Sequence, residues 1–338
     1  MEEQKGFFDE EFRLDDLKKQ GDPLIRLNEI INWEMFRPIL TRFFRKQPKA
    51  PGGRPPFDYI KMFKILVLQR LYNLSDAQMQ FQIMDRLSFQ RFIGCNLKSK
   101  IPDEKTIWLF RENLTKSGLM DRLFGKFQEH LEKNGVIEHR GSIVDASFVE
   151  VPRQRNSKKE NDQIKKGEKP GDWTPETERQ KDIDARWTKK HEQNYFGYKD
   201  HIKVDRGSKL ITKYQVTPAN VHDSQVLIGL LTKKDRHHDL FADSAYSGQK
   251  IDKELYRRNI RNRVHEKAYK SRPLTEKQKA DNRKKSSIRA RVEHVFGFIT
   301  NSMKGFYIRS IGLVRARFMI GLVNLTYNMM RFVQIQRA

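Results

Sequence analysis

The sequence predicts an α/β domain that follows an all-α region, and three observations lead to this prediction. Before residue 135, apolar residues recur at helical spacing, most clearly over residues 58–72. After Gly141 the pattern changes to short β-branched runs, beginning with SIVDASFV at residues 142–149. Helical and strand-like segments then alternate until an apolar segment at residues 311–333. Gly141 therefore lies close to a domain boundary.

The helical region is predicted to contain a series of short helices. Ser75 and Gln78 form a capping-box pattern that begins the helix after residues 58–72. Ser88 is expected to cap a third helix and Asp103 a fourth. Such a series suits either a DNA-reading helix-turn-helix or a plain helical bundle, and the sequence leaves both interpretations open.

The second region is predicted to begin with three strands that could form a meander, at residues 142–149, 201–205 and 209–216. Asp223 and Ser224 are expected to cap the next helix. A buried strand follows at residues 240–243, then a helix at 251–258, a strand at 261–265 and two long helices at about 286–298 and 311–333.

The charge of the chain is strongly positive and unevenly placed. Its 67 Lys and Arg against 43 Asp and Glu among 338 residues give a net charge of +24. Residues 257–291 carry fourteen bases and three acids, whereas residues 1–35 carry ten acids and five bases. Concentrated positive charge favours phosphate contacts, because each neutralised phosphate releases condensed counterions. The composition therefore predicts a polyanionic partner, with nucleic acid as the first candidate.

Three features exclude other classes of protein. The single Cys95 permits no internal disulfide and no cysteine zinc site, which favours a reducing cytoplasm. The longest apolar stretch, residues 318–330, is shorter than the roughly 20 residues that span a bilayer. The acidic first residues do not resemble a signal peptide. We therefore expect a cytoplasmic protein with no membrane partner.

A polar stretch at residues 153–172 contains Ile164 as its only aliphatic residue and is interrupted by glycine and proline. It is predicted to be a flexible insertion between strands, with DNA contact as an alternative. Trp173 and Trp187 have basic neighbours and could stack on an unpaired base or dock the insertion on the core. The sequence leaves both roles open.

Three acids stand in apolar surroundings. Asp145 and Asp243 each follow two apolar strand residues, and Glu293 lies on a helix beside Val292 and Val295. A single buried carboxylate could cap a turn or pair with an arginine, but three together suit a hard cation such as Mg²⁺ or Mn²⁺. Arg289, one turn before Glu293, can share its helix face. The sequence therefore predicts a metal site for chemistry at phosphorus.

Six ordered motifs resemble those of transposases of the insertion sequence 5 family. They are GGRPPFD at residues 52–58, the strand around Asp145, FGYKDH at 196–201, TPANVHDS at 217–224, ADSAY at 242–246 and RVEHVFG at 291–297. The resemblance covers residues 52–333. It implies an RNase H-like domain, a mixed sheet flanked by helices, with a catalytic DDE triad formed by Asp145, Asp243 and Glu293.

The resemblance also implies a function. The chain would be a DNA transposase that binds the ends of an insertion sequence, cleaves them by metal-dependent hydrolysis and joins the 3′ ends to target DNA. Two Mg²⁺ or Mn²⁺ ions would be held by the triad, and a homodimer is expected on double-stranded DNA, in the cytoplasm and associated with the nucleoid. Alternatives are a DNA-binding protein that no longer cuts and an RNase H-like nuclease that never joins.

The changes of charge and pattern along the chain predict three regions. They are an acidic N-terminal arm at residues 1–51, a helical DNA-binding domain at 52–135 and a catalytic domain at 141–335 with a polar basic insertion at about 152–193. Related transposases often have a tyrosine, an arginine and a lysine at fixed spacings around the catalytic glutamate. This chain has Ser286 at the tyrosine position and Thr300 at the lysine position, and only the arginine, Arg289, is present. The residues predicted to contact DNA are Arg283, Lys284, Lys285, Arg289, Arg291, Lys199 and His201.

Overall fold

A computed structural model describes residues 6, 8–44, 55–190, 192–269 and 273–336. The chain divides into two compact units, one formed by residues 1–129 with 328–338 and the other by residues 130–327. Residues 52–54 of the first motif and 270–272 of the basic stretch lie outside the described residues. No helix in the described part of the chain is long and apolar enough to cross a membrane.

The first unit is helical. Its helices are α1 (Asp9–Lys19), α2 (Pro23–Ile30), α3 (Arg37–Phe44), α4 (Tyr59–Leu71), α5 (Asp76–Asp85), α6 (Leu87–Ile93), α7 (Glu104–Ser117) and α8 (Met120–Lys133), of which α8 continues into the second unit. Residues 9–44, in the segment predicted as an acidic arm, contribute Leu27, Phe36 and Leu40 to the buried core. The Phe36 and Phe63 ring centroids are 4.9 Å apart.

The predicted helix caps are mostly confirmed. Ser75 and Gln78 form the capping box of α5, and the Asp103 carboxylate accepts a hydrogen bond from the Thr106 N–H of α7. The prediction for Ser88 is wrong, because α6 begins at Leu87 and Ser88 lies inside the helix, where its hydroxyl cannot serve as the cap.

The second unit is built on a mixed six-stranded sheet. Its strands are β1 (Ser142–Glu150), β2 (Arg186–Lys190), β3 (Gln193–Asp205), β4 (Ile211–Pro218), β5 (Asp239–Ala242) and β6 (Arg261–Val264). They are ordered β2-β3-β1-β5-β6, with β4 also paired to β3. β1, β3 and β4 form the predicted antiparallel meander, whereas β5 and β6 run parallel to β1. The predicted mixed sheet, preceded by helices, is confirmed.

Helices pack on this sheet from both sides. The described helices that follow β1 in the chain are α9 (Lys158–Lys165), α10 (Pro175–Gln180), α11 (Leu227–Leu230), α12 (Gln249–Arg257), α13 (Glu276–Gly297) and α14 (Leu313–Ile335). Val144 and Ala242 pack with residues of α11 and α12 in one apolar cluster. Because side chains alternate along a strand, Asp145 and Asp243 belong to the other face, and α13 packs against β1 and β5 there.

Two local predictions are corrected by the structure. α13 begins at Glu276, ten residues before the predicted start, because Thr275 and Gln278 form a capping box that extends the helix towards its N-terminus. The turn before α11 is capped by the His222 side chain, which accepts from the Ser224 N–H. Asp223 does not cap it, because its carboxylate binds Lys199 instead.

The polar insertion is ordered by a buried carboxylate. Asp182 accepts hydrogen bonds from the Tyr198 hydroxyl and from the backbone N–H groups of Asp184, Ala185 and Gly312. It thereby ties the segment before β2 to β3 and to the start of α14. Ile164, on α9, is buried.

Candidate active site

Asp145 and Asp243 occupy equivalent positions on neighbouring parallel strands. The register pairs Ser142 with Leu240 and Ile143 with Phe241. Continuing it by two residues places Asp145 opposite Asp243, where β5 ends. Paired residues of adjacent strands point to the same face, and neighbouring strands are about 4.8 Å apart. Sheet geometry therefore brings together two carboxylates that are 98 residues apart in the sequence.

The Asp145 carboxylate is largely buried, and only 16% of its side chain is exposed. Its Oδ1 accepts a hydrogen bond from the Ala146 N–H at 2.9 Å, and its Oδ2 accepts one from Arg289 Nη1 at 2.7 Å. Burial raises the pKa of Asp145 to about 6, the Arg289 charge opposes this rise, and the Asp243 charge adds to it. The site therefore lacks sufficient positive charge for its acids.

Asp243 begins a turn of 3₁₀-helix at residues 244–246, and its Oδ1 accepts from the Ala245 N–H at 2.8 Å. Tyr246, at the end of this turn, is fully buried, and its hydroxyl has no hydrogen-bond partner among the described residues. Burial raises the Tyr246 pKa well above its ordinary value, and the charges of Asp223, Asp145 and Asp243 raise it further. Tyr246 packs in the apolar cluster that contains Val144 and Ala242, and the charges of both carboxylates still act on its hydroxyl.

Glu293, unlike Asp145, is exposed to solvent. It is exposed on α13, while Val292 and Val295 on either side of it are buried. Among the described residues it makes no hydrogen bond or ion pair, and no group of three or more His, Cys, Asp or Glu side chains there is arranged to hold a metal. The structure brings Asp145 and Asp243 together but does not bring Glu293 to them.

The two aspartates fit a hard divalent cation. Magnesium is usually bound through one or two carboxylates, with water and substrate phosphate completing its oxygen ligands. The raised pKa of Asp145 and the adjacent charge of Asp243 are the signs of a carboxylate pair that a cation stabilises. Asp145 and Asp243 would hold such an ion.

Arg289 is the basic group closest to this pair in the described structure. It lies on α13 one turn before Glu293, and 23% of its side chain is exposed. Its Nη1 donates to Asp145, but its buried Nε has no partner among the described residues. The sequence singled out Arg289, but its contact with Asp145 comes from tertiary structure.

The other basic residues predicted on α13 fall into two groups. Arg283 and Lys284 are exposed and available to a ligand. Lys285 is buried, and its Nζ donates to the Val264 carbonyl at 3.2 Å and pairs with Asp281 at 2.7 Å. Arg291 is exposed, but its Nη1 donates to the Arg206 carbonyl at 2.6 Å. Half of this basic set is thus engaged within the protein.

Lys199 and His201 lie on β3, and Lys199 contacts the segment that leads to α11. Lys199 Nζ donates to the Val221 carbonyl at 2.9 Å and to Asp223 Oδ1 at 2.8 Å. His201 is fully buried, its Nε2 is 2.9 Å from Thr217 Oγ1, and its Nδ1 is 3.9 Å from Asp223 Oδ1. Burial lowers the pKa of His201 to about 4. His201 pairs with Ala146 in register, so it faces away from Asp145.

The two tryptophans of the insertion have different surroundings. Trp173 is half-buried, and its indole N–H donates to Glu160, which docks it within the insertion. Trp187, on β2, is 43% exposed, and the Arg153 guanidinium lies 5.8 Å from its ring centroid. Of the two, only Trp187 offers an exposed aromatic surface.

The sequence does not predict the surroundings of two further residues. Asp223 has the pattern of a helix cap, although its carboxylate pairs with Lys199. Tyr246 stands out in the sequence only as part of the ADSAY motif at residues 242–246. Its position three residues after a strand-ending aspartate, inside a turn, is the signal that could have identified it.

Two families of known proteins match this chain. The family described as "Transposase DDE domain" matches residues 137–329, and the family described as "Transposase domain (DUF772)" matches residues 12–113. The first match contains the whole sheet, with Asp145, Asp243, Arg289 and Glu293.

Among solved structures, a piggyBac transposase synaptic complex with hairpin DNA is similar at 12% identity and a TM-score of 0.45, over 90% of this chain and 74% of that chain. A pre-cleavage Mos1 transpososome is similar at 12% identity and a TM-score of 0.21, over 94% and 97% of the two chains. The family match spans more than half of the sequence and includes the carboxylate pair, and the chain belongs to the DDE transposases.

Proposed function

We propose that this transposase binds the ends of an insertion sequence, cleaves them by metal-dependent hydrolysis and joins the freed 3′ ends to target DNA. The observation that carries the proposal is the parallel register of β1 and β5, which when extended by two residues aligns Asp145 with Asp243, just after β5, within the matched DDE domain. The burial of Asp145 supports a role in chemistry, because a carboxylate is costly to bury and only Arg289 and the Ala146 N–H contact this one in the described structure. Membership of the insertion sequence 5 family, in particular, remains a prediction from the motifs.

The cofactor would be Mg²⁺ or Mn²⁺, and we infer two ions. Asp145 and Asp243 would hold them, with Glu293 as the third proposed acid. Bound divalent ions stabilise the charge on the attacking and leaving oxygens of a displacement at phosphorus. This chain's own contribution is to hold the carboxylates on rigid strands and to present Arg289 to a phosphate near the cut.

The proposed partner is double-stranded DNA, both as transposon end and as target. Exposed Arg283 and Lys284 on α13 support this, because neither is engaged by an acid of the described structure. We infer a homodimer on DNA, since two ends must be held during joining, and a cytoplasmic, nucleoid-associated location.

A cleavage and joining assay tests the proposal. The substrate is a plasmid that carries the DNA flanking both sides of the chain's own gene, with Mg²⁺ or Mn²⁺. Asp145→Asn and Asp243→Asn are each expected to lower cleavage by more than about a hundredfold, the upper range for loss of a merely supporting residue. DNA affinity should be kept, because the amide removes a charge that repels phosphate.

Glu293→Gln is expected to lose both nicking and joining, and Glu276→Gln is its matched control because Glu276 is exposed on the same helix. Wild-type protein that nicks but never joins would identify a nuclease. Protein that binds but never nicks would identify a DNA-binding derivative. Either result contradicts the proposed function.

A charge swap separates a catalytic Glu293 from a structural one. Arg289→Glu with Glu293→Arg moves the carboxylate by one helical turn, about 5–6 Å, while metal–oxygen bonds are about 2 Å long. The swapped protein is expected to fold, as measured by circular dichroism, and to be inactive in nicking. A folded and active swap would remove Glu293 from the proposed triad.

A further inference from the structure

We propose that Arg289 is an internal counter-cation for Asp145, which a divalent cation must displace, and that a DNA phosphate then takes over its guanidinium. Metal binding and DNA binding would therefore strengthen each other. This inference rests on the proposed function, because it concerns the same site. It adds a coupling between the two ligands through one residue of α13.

The first support is the ion pair itself. Arg289 Nη1 lies 2.7 Å from Asp145 Oδ2, and the side chains are 23% and 16% exposed. The other Asp145 oxygen already accepts from the Ala146 N–H. An incoming cation therefore finds one oxygen of Asp145 covered by a guanidinium. A cation bound at Oδ2 would lie within a few ångströms of the Arg289 guanidinium, and the repulsion between the two positive charges favours displacement of Arg289.

The second support is that Arg289 is incompletely bonded. A guanidinium has five N–H donors, and the buried Nε of Arg289 has no partner among the described residues. Arg111 offers a contrast within this chain, because its two terminal nitrogens bind both carboxylate oxygens of Asp76 and also Gln69. Arg111 is satisfied by the fold. Arg289 retains donor capacity for a second acceptor, and phosphate accepts guanidinium in two-point geometry.

The third support is charge. Asp145 and Asp243 carry two negative charges, and Arg289 supplies one positive charge where a divalent cation would supply two. The single charge of Arg289 thus offsets only one of the two carboxylate charges. When the dication binds, Arg289 loses its acid partner, and a DNA phosphate restores one. Coupling of this kind is reciprocal between the two ligands.

Manganese binding without DNA tests the displacement. The full chain is titrated with Mn²⁺, and free Mn²⁺ is measured by electron paramagnetic resonance. Arg289→Gln is expected to bind Mn²⁺ about fivefold or more tightly than wild type, the lower end of typical couplings. Arg283→Gln is the matched control, because it removes the same charge from an exposed position on the same helix. Equal tightening in both variants would overturn the proposal by showing a general charge effect.

Asp145→Asn distinguishes failure of this inference from failure of the proposed function. If Asp145→Asn does not weaken Mn²⁺ binding, the assignment of Asp145 as a ligand fails. If it does, and Arg289→Gln still binds no more tightly than wild type, only the displacement by Arg289 fails. Circular dichroism melting checks that each variant is folded.

A second measurement needs no substitution of Arg289. The affinity of wild type for a labelled duplex is measured by fluorescence anisotropy with and without Ca²⁺, which also prefers oxygen ligands. Ca²⁺ is expected to strengthen duplex binding by wild type and by Arg283→Gln, relative to its effect on Asp145→Asn. An identical response to Ca²⁺ in all three proteins would contradict the coupling, whether or not Arg289→Gln folds.

Discussion

Two buried acid–base pairs on the same sheet show the difference between a structural and a functional charge. Asp235, which precedes β5, binds Lys203 at 2.6 Å and also accepts from the Thr232 N–H, the Thr232 hydroxyl and the Ser142 hydroxyl. Asp145 accepts only from Arg289 and its neighbouring backbone N–H in the described structure. Both carboxylates are mostly removed from water, but only the first is fully hydrogen-bonded.

The pKa directions of the two acids differ for this reason. Burial acts to raise the pKa of Asp235, but the charge of Lys203 and the hydrogen bonds outweigh it, and the pKa is lowered. At Asp145 burial prevails, and the pKa is raised to about 6. A carboxylate that the fold satisfies stabilises the fold. A buried carboxylate with few hydrogen-bond donors and little positive charge around it, such as Asp145, is suited to bind an external cation.

The largest expected effect tests this contrast through stability. Asp235→Asn leaves Lys203 buried without its counter-charge, and we expect it to lower the free energy of unfolding by about 3–5 kcal/mol. Asp145→Asn, in contrast, removes an acid whose ionised form burial and Asp243 already disfavour, and should lower the free energy of unfolding by less than Asp235→Asn does. Urea unfolding of both variants measures the difference. Equal losses would mean that the Asp145 pair is structural too.

Asp200 is a third buried carboxylate, and it extends the comparison with Asp235 and Asp145. Among the described residues it forms no ion pair with a lysine or an arginine. It is fully buried, its Oδ1 accepts from Asn324 Nδ2 at 3.1 Å, and its Oδ2 has no partner there. Burial raises its pKa to about 8, while the Asn324 hydrogen bond opposes the rise. Asp200 is therefore neutral in the folded protein at neutral pH.

This protonation predicts a pH dependence. The folded pKa lies above the unfolded one, so the contribution of Asp200 to stability is complete below its ordinary pKa and is lost as pH rises towards about 8. Between about pH 6 and about pH 8 the loss should reach up to about 2 kcal/mol. Asp200→Asn keeps the shape without the ionisation, so its urea-unfolding profile should be flatter than that of wild type. The same slope in both proteins would assign the dependence to another group.

The smallest expected effect compares satisfied and unsatisfied bases on α13. Arg283→Ala with Lys284→Ala removes exposed charges and should lower the slope of log affinity against log salt by about 0.9 for each phosphate that the variant no longer neutralises. Lys285→Ala removes a base that already binds Asp281 and Val264, and should leave that slope unchanged. Duplex binding across a salt series measures both variants against wild type. A slope altered only by Lys285→Ala would reverse the assignment of these bases.

Much of the fold was predictable because it depends on local interactions. The caps at Ser75 and Asp103 act within one helical turn, and the alternation in residues 142–149 is a property of the strand itself. The importance of Asp145 and Asp243 could also be inferred, since an acid after two apolar strand residues is costly to bury. These features require only near neighbours in the chain.

Tertiary structure decided which charged groups remain available. No local pattern reveals that Lys285 is buried, that Asp223 binds Lys199, or that Glu293 is exposed next to two buried valines. The pair between Arg289 and Asp145 joins residues 144 positions apart. Such contacts depend on how α13 packs across β1 and β5. The sequence alone determined which residues carry charge and which local elements form, whereas packing determined which charges the fold neutralises and which remain for a ligand.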